Sequence, residues 1–99
     1  MQSFYPERFT REMSCTEAEW LRLLPRAMGQ HAWEQTGPSV TVRIGTGTLG
    51  VQWQALAPRT LGLVRLERLQ AEFVFSGVDD RGRLAFMRRF DLYTQRGGG

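Results

Sequence analysis

The side chains best suited to nucleophilic or acid-base catalysis in this sequence are Cys15 and His31, the single cysteine and the single histidine of the chain. Cys15 precedes a predicted helix, whose free amides and dipole can lower the pKa of a thiol and favour the nucleophilic thiolate. His31, the natural base for such a thiol, lies about four turns further along, roughly 20 Å away if the helix is continuous. This separation disfavours a Cys-His pair, and we predict that neither residue is catalytic.

All thirteen basic side chains are arginine, which forms planar bidentate contacts with phosphates and carboxylates. A genome rich in G and C would also favour arginine codons over lysine codons. Ten acidic side chains offset the arginines and leave a net charge of +3, whereas a nucleic-acid footprint should cluster its charge. We therefore expect weak nucleic-acid binding at most, with Arg43, Arg83, Arg88 and Arg89 as the candidate residues.

Two further motifs have conformational explanations. Asp79 and Asp80 precede Gly82 in a predicted hairpin loop, where Asp and Gly are favoured by the backbone geometry of turns. The glycine-rich segment Thr46–Gly50 is not followed by a helix that could cradle a phosphate. Because a lone cysteine cannot build a multi-cysteine metal site either, the sequence predicts neither a cofactor nor a metal.

The segment Gln95–Gly99 contains an Arg-Gly-Gly sequence. It resembles the ending of ubiquitin and of bacterial sulfur-carrier proteins, in which a C-terminal glycine carboxylate is activated by adenylation. The resemblance covers about three residues, and those folds place a hairpin before the helix, whereas this chain is predicted to place its helix first. A carrier role is therefore a minor alternative, and residues 96–99 are predicted to form a flexible tail.

An amphipathic helix is predicted from about Thr16 to Gly29. Ser14–Glu17 and Thr16–Glu19 both match the capping box, in which a hydroxyl and a carboxylate bond the first free helix amides. Apolar residues then recur at helical period. Pro25 predicts a kink or a break, because its ring clashes with the carbonyl four residues earlier.

After a loop at Gln35–Pro38, the apolar period changes from helical to two. Alternating segments on either side of Gly45–Gly47 predict a β-hairpin. Ala57–Thr60 interrupts the pattern, and residues 61–75 then predict a strand with a bulge near Glu67 and Arg68, although Leu63–Glu72 is also rich in helix formers. A turn at 76–82 and a last strand over 84–92 follow.

Together these segments predict one α+β domain over residues 1–95. One N-terminal helix packs on an antiparallel meander of about four strands, and alternation near Phe9 allows a short N-terminal edge strand. One sheet face is predicted to be polar and to carry Thr41, Arg43, Gln52, Gln54, Gln70, Glu72, Arg83 and Arg89. The predicted core comprises Leu21, Leu24, Met28, Val42, Ile44, Val51, Trp53, Leu69, Phe73, Phe75, Phe86 and Phe90.

These properties favour a small soluble protein. No apolar run approaches the roughly 20 residues of a membrane helix, and a lone cysteine without a signal-peptide pattern predicts a cytoplasmic location. A sheet with an uncovered face and open edges invites a protein partner or a second copy. We therefore expect a non-catalytic binding or assembly module; weak nucleic-acid binding is the alternative, and an enzyme using Cys15 is less favoured.

Overall fold

The computed structural model describes residues 3–94, and the predicted tail at 96–99 lies outside this range. Within it, five strands form one antiparallel sheet in the order β1-β5-β4-β3-β2, accompanied by two helices. The α+β class, the antiparallel sheet and the N-terminal edge strand are as predicted. The elements are β1 (Arg8–Met13), α1 (Glu17–Met28), β2 (Trp33–Thr36), β3 (Ser39–Ile44), β4 (Gly47–Leu61), β5 (Val64–Ser76) and α2 (Asp80–Thr94).

Helix α1 begins and ends where the sequence predicts. The Thr16 hydroxyl accepts a hydrogen bond from the amide of Glu19 at 3.1 Å, and the Glu19 carboxylate accepts one from the amide of Thr16 at 2.8 Å. This reciprocal pair is a capping box. Gly29 ends the helix with a φ of +64°, a conformation that glycine adopts without a steric penalty. The helix continues through Pro25, so the chain does not break there.

Strands β2 to β5 form the meander, and β1 pairs with the outer side of β5. The predicted β3-β4 hairpin is present, and the segment rich in helix formers is the strand β5. The expected loop at Gln35–Pro38 is partly wrong, because Trp33–Thr36 forms the edge strand β2. Four residues are too few for an alternating pattern to identify a strand from sequence.

The predicted bulge is present at the expected level of the sheet, but it lies on the neighbouring strand. Leu56 pairs with Arg68 and Arg59 pairs with Leu66, so two residues of β4 oppose Glu67 of β5. The extra residue is therefore in β4, which continues through Ala57 and Pro58 where the sequence predicted an interruption. Such a bulge changes which residues of a strand face each side of the sheet.

The last predicted strand is wrong, because residues 80–94 form helix α2. Phe86, Met87 and Phe90 are buried together, which is the spacing of one helix face. The Asp79 carboxylate accepts a hydrogen bond from the amide of Gly82 at 2.8 Å, so Asp79 caps this helix instead of turning a hairpin. Because Phe86 and Phe90 fit both a period of two and a helical period, the sequence pattern did not separate the two structures.

Both helices pack side by side on one face of the sheet and enclose the core. The Trp20 ring meets the rings of Trp53 and Phe90 edge to face, at 5.7 and 5.8 Å between centroids. The predicted core residues are buried except Leu21 and Ile44, which are half-buried against it. Neither of the described helices has the length and apolar character needed to cross a membrane.

Candidate interaction surface

Strands β4 and β5 extend well beyond the strands that flank them. Strand β3 pairs with β4 only as far as Gln52, and β1 pairs with β5 only as far as Leu69. Residues 56–68 therefore form a two-stranded ribbon, which we call the arm. Strand β4 has 15 residues, which span roughly 50 Å when extended, and the molecule measures 47 × 29 × 21 Å. The arm thus accounts for much of the elongated shape.

Four large aliphatic side chains at the end of the arm are exposed, and we call them the apolar tip. They are Leu61, Leu63, Val64 and Leu66, with exposed fractions of 59%, 105%, 55% and 37%. Isolated exposed leucines are common on protein surfaces, whereas a contiguous apolar group at the end of a projecting element is typical of an interaction site.

The bulge in β4 decides which face of the arm is apolar. Leu61 pairs directly with Val64, and residues directly opposite in an antiparallel pair share one face. Leu66 lies two residues from Val64 and so shares that face as well. Strict alternation along β4 from Ala55 would place Leu61 on the other face, which carries Arg65 and Glu67. The bulge therefore reconciles the alternation of β4 with the position of Leu61 on the apolar face.

Arg68 ties the base of the arm to the end of β1. Its guanidinium donates two hydrogen bonds to the Glu12 carboxylate, both at 3.0 Å, and a third to the carbonyl of Ala57 at the bulge, also at 3.0 Å. These hydrogen bonds lower the pKa of Glu12. Nearer the tip, Arg65 and Glu67 form an exposed ion pair of 2.9 Å. The arm thus carries charged side chains of both signs next to its apolar face.

The sheet face that the helices leave uncovered is polar, as predicted for its strand residues. A shallow depression of about 330 Å³ is lined by Thr10, Gln52, Trp53, Gln54, Gln70 and Glu72. Gln54 donates to Gln70 at 3.2 Å, and Glu72 pairs with Arg8 at 3.0 Å. Three of its polar side chains are therefore already hydrogen-bonded, and the depression offers less to a partner than the arm does.

Arg83, one of the four predicted nucleic-acid contacts, is buried with 6% of its surface exposed. Its guanidinium donates to the carbonyl of Tyr5 and to that of Val78, both at 2.7 Å, and pairs with Asp80. The predicted position on the polar sheet face is wrong, because the residue belongs to α2. Arg83 holds the N-terminal segment against the start of that helix.

The structure places the other three predicted arginines on two different faces. Arg43 is exposed on β3, whereas Arg88 and Arg89 lie on α2 and not on the sheet. Arg89 donates to the carbonyl of Arg26 at 3.1 Å, and both guanidiniums lie over the ring of Tyr93, at 4.7 and 5.4 Å from its centroid. No carboxylate of residues 3–94 forms a salt bridge with Arg26, Arg88 or Arg89.

Cys15 and His31 lie at opposite ends of α1. Burial, together with the nearby Glu19 carboxylate, raises the pKa of the Cys15 thiol, which is the reverse of activation. His31 Nδ1 lies 3.0 Å from the carbonyl of Met28, and its ring packs edge to face against Phe86. Across the described part of the chain, no three His, Cys, Asp or Glu side chains group to hold a metal ion.

Comparisons of the chain with protein families, with curated proteins and with solved structures find no match. The arm was not predicted from the sequence, because Leu61–Phe75 was assigned to one strand and Gly62 was not recognised as the centre of a hairpin turn. Gly62 has a φ of +62°, and a glycine flanked by large aliphatic residues was the available signal.

Proposed function

We propose that this protein is a non-catalytic binding or assembly module whose arm docks onto a protein surface. The observation that carries the proposal is the apolar tip, where Leu61, Leu63, Val64 and Leu66 are exposed on one projecting ribbon. A two-stranded ribbon is marginally stable in water by itself. A partner that covers the tip would remove the aliphatic side chains from water and would hold the ribbon in one conformation.

The chemistry of Cys15 supports a non-catalytic role. Its raised pKa leaves less thiolate at neutral pH, and α1 separates it from His31. In this proposal the module works in the cytoplasm, where a lone cysteine stays reduced. Fractionation of cells that produce a tagged form of the chain tests the location, and recovery outside the cytoplasm would contradict it.

The docking role is tested by replacing Leu63 with a photo-crosslinking amino acid in cells that produce the protein. Leu92, which is exposed on α2, is the matched control position. We expect a specific adduct from position 63 and none from position 92. Adding Leu61→Ser and Val64→Ser should reduce the adduct strongly, because the tip then loses its apolar surface.

The partner identified by crosslinking is then purified and titrated with the wild-type chain and with the double serine variant. Binding by the wild type alone supports the proposal. Equal adduct yields at the two positions, or a yield that the serine substitutions leave unchanged, would contradict it.

Weak nucleic-acid binding is the second candidate function, and one observation favours a particular surface for it. Arg26 and Arg89 share the ring of Tyr93, and guanidiniums 5.4 and 4.7 Å from one centroid lie within about 10 Å of each other. Arg88, which precedes Arg89 on α2, is exposed as well. A phosphate backbone could contact this group of arginines, whereas Arg43 lies on the other side of the molecule and Arg83 is buried.

An electrophoretic titration at several salt concentrations tests this second candidate. We expect salt-sensitive binding no tighter than roughly micromolar, weakened by Arg88→Ala with Arg89→Ala. Arg43→Ala is the matched control, because it removes one arginine from the other side. Equal weakening by Arg43→Ala, or no binding even at low salt, would contradict this assignment; nanomolar binding lost in the double variant would rank it above the docking role.

A further inference from the structure

We propose that the partner of the arm is a second copy of this chain, paired edge to edge along β5 about a twofold axis at Leu66. The inference rests on the docking role of the arm proposed above. Among the described residues, β1 covers the outer edge of β5 only from Leu69 onward. Residues 64–68 therefore present backbone groups that another strand can pair with.

The two edges of the arm are not equivalent. On β4 the unpaired edge contains Pro58, which has no N–H, and it is distorted by the bulge. Both features hinder the addition of a strand there. On β5 the stretch from Val64 to Arg68 contains neither proline nor glycine and keeps a regular register with β4 on both sides of the bulge. Strand addition is therefore directed to β5.

The charges on β5 are self-complementary in this arrangement. In an antiparallel pair centred on Leu66, Arg65 lies opposite Glu67 of the second copy, and Glu67 lies opposite Arg65 of the second copy. Symmetry thus creates two cross-strand ion pairs from one sequence, and opposite charges directly across a strand pair are stabilising. Among the described residues of a single chain, Arg65 and Glu67 form an ion pair with each other, at 2.9 Å.

The apolar residues follow the same symmetry. Leu66 lies beside Leu66 of the second copy on the apolar face, and Val64 lies beside the aliphatic stem of Arg68. The pairing ends after five residues, because the tip of the second arm then reaches Met13 at the end of β1, which covers the edge beyond. An interface this small falls below the roughly 1,000 Å² of stable complexes, so we expect a weak dimer.

Sedimentation of the full chain over a range of concentrations tests the pairing. Wild type should dimerise weakly. Glu67→Arg places arginine opposite arginine twice, Arg65→Glu places glutamate opposite glutamate twice, and each should weaken dimerisation by about tenfold or more. An equimolar mixture of the two single variants should form a heterodimer at least as readily as wild type dimerises, because every pair across the axis is then Arg with Glu.

The mixture separates the interface from any effect within one chain, because each single variant lacks the internal Arg65–Glu67 pair. Arg88→Glu is the control, and it should leave dimerisation unchanged; far-UV circular dichroism checks that every variant is folded. A wild type that stays monomeric, or single variants that dimerise as well as wild type, would overturn the pairing. A monomeric wild type that still gives the specific adduct from position 63 with another protein would overturn the pairing alone, whereas a monomer without that adduct would overturn the docking role too.

Discussion

Arg83 is the residue whose environment differs most from its sequence-based assignment. An arginine next to Gly82 is predicted to be exposed, yet this guanidinium reaches the carbonyl of Tyr5, 78 positions away in sequence. The planar group donates several hydrogen bonds in fixed directions, which suits it to joining three chain segments. Buried acceptors left without a donor are costly, so the arginine acts as a structural cross-link.

Replacing this cross-link should destabilise the protein. Arg83→Met keeps much of the side-chain volume but leaves the carbonyls of Tyr5 and Val78 without their donor, and we expect a loss of about 2–4 kcal/mol. Urea denaturation measures the free energy of unfolding. Arg81→Met, two residues earlier and exposed, is the control and should change it by less than about 0.5 kcal/mol. Equal losses of unfolding free energy in the two variants would show that the Arg83 hydrogen bonds do not stabilise the fold.

Tyr5 should make stability depend on pH in the alkaline range. Burial, aided by its hydrogen bond to Asp91, raises the pKa of Tyr5 from 10.0 to about 12. The folded state therefore holds the phenol proton more tightly than the unfolded state does. The contribution of the protonated Tyr5 phenol to the free energy of unfolding is fully present below pH 10. It is lost as pH rises from about 10 to about 12.

Tyr5→Phe tests this pH dependence, because it removes the titrating phenol. Unfolding free energies measured by urea between pH 8 and pH 12 should fall more steeply for wild type than for this variant. Leu92→Ala, at an exposed position on α2 without a titrating group, is the control and should keep the slope of the wild type. A wild-type profile that coincides with that of Tyr5→Phe would show that the Tyr5 phenol titrates alike in the two states.

Among the elements, α1 is preceded by two sequences that match a capping box. The structure uses only one of them as the start of the helix. Both Ser14–Glu17 and Thr16–Glu19 match the capping sequence, but only the second makes the reciprocal hydrogen bonds. The Glu17 carboxylate instead accepts a hydrogen bond from the indole of Trp53 at 2.8 Å. This contact ties the first turn of the helix to the sheet.

The capping box at Thr16 should contribute measurably to stability. Thr16→Ala should lower stability by about 1 kcal/mol, whereas Ser14→Ala should change it by less than about 0.5 kcal/mol. Combining Thr16→Ala with Glu19→Ala should cost less than the sum of the two single changes, because both belong to one hydrogen-bonded unit. Thermal or urea unfolding of the four variants measures these effects, and an equal loss from Ser14→Ala would place the helix start two residues earlier.

At the scale of the whole molecule, the helices and the sheet meet in one aromatic core, from which the arm projects. Phe73 lies at its centre, stacked on Phe9 at 4.7 Å and edge to face with Phe90 at 5.5 Å. The arm adds exposed apolar surface far from this core. Stability and partner binding are therefore expected to respond to different substitutions.

Phe73→Ala should destabilise the protein by about 3–5 kcal/mol, because it leaves a cavity between α2 and the sheet. Leu92→Ala, at an exposed position on α2, is the control and should cost less than about 0.5 kcal/mol. Urea unfolding measures both. A loss below about 1 kcal/mol for Phe73→Ala would mean that the core collapses around the site instead of keeping the cavity.

The sequence by itself determined the α+β class, α1 with its cap, the β3-β4 hairpin and the inward residues of the central strands. These features follow from local rules, since capping hydrogen bonds and the alternation of a hairpin involve residues close together in the chain. Tertiary structure alone decided that residues 80–94 form a helix, that Arg83 is buried and that β4 and β5 extend beyond the strands that flank them. The physical reason is that each of these features depends on residues distant in the sequence. Phe86 and Phe90 fit either period until α1 packs beside them, and Arg83 is buried because it bonds the Tyr5 carbonyl. The exposure of Leu61 and Leu63 depends on where β1 and β3 end.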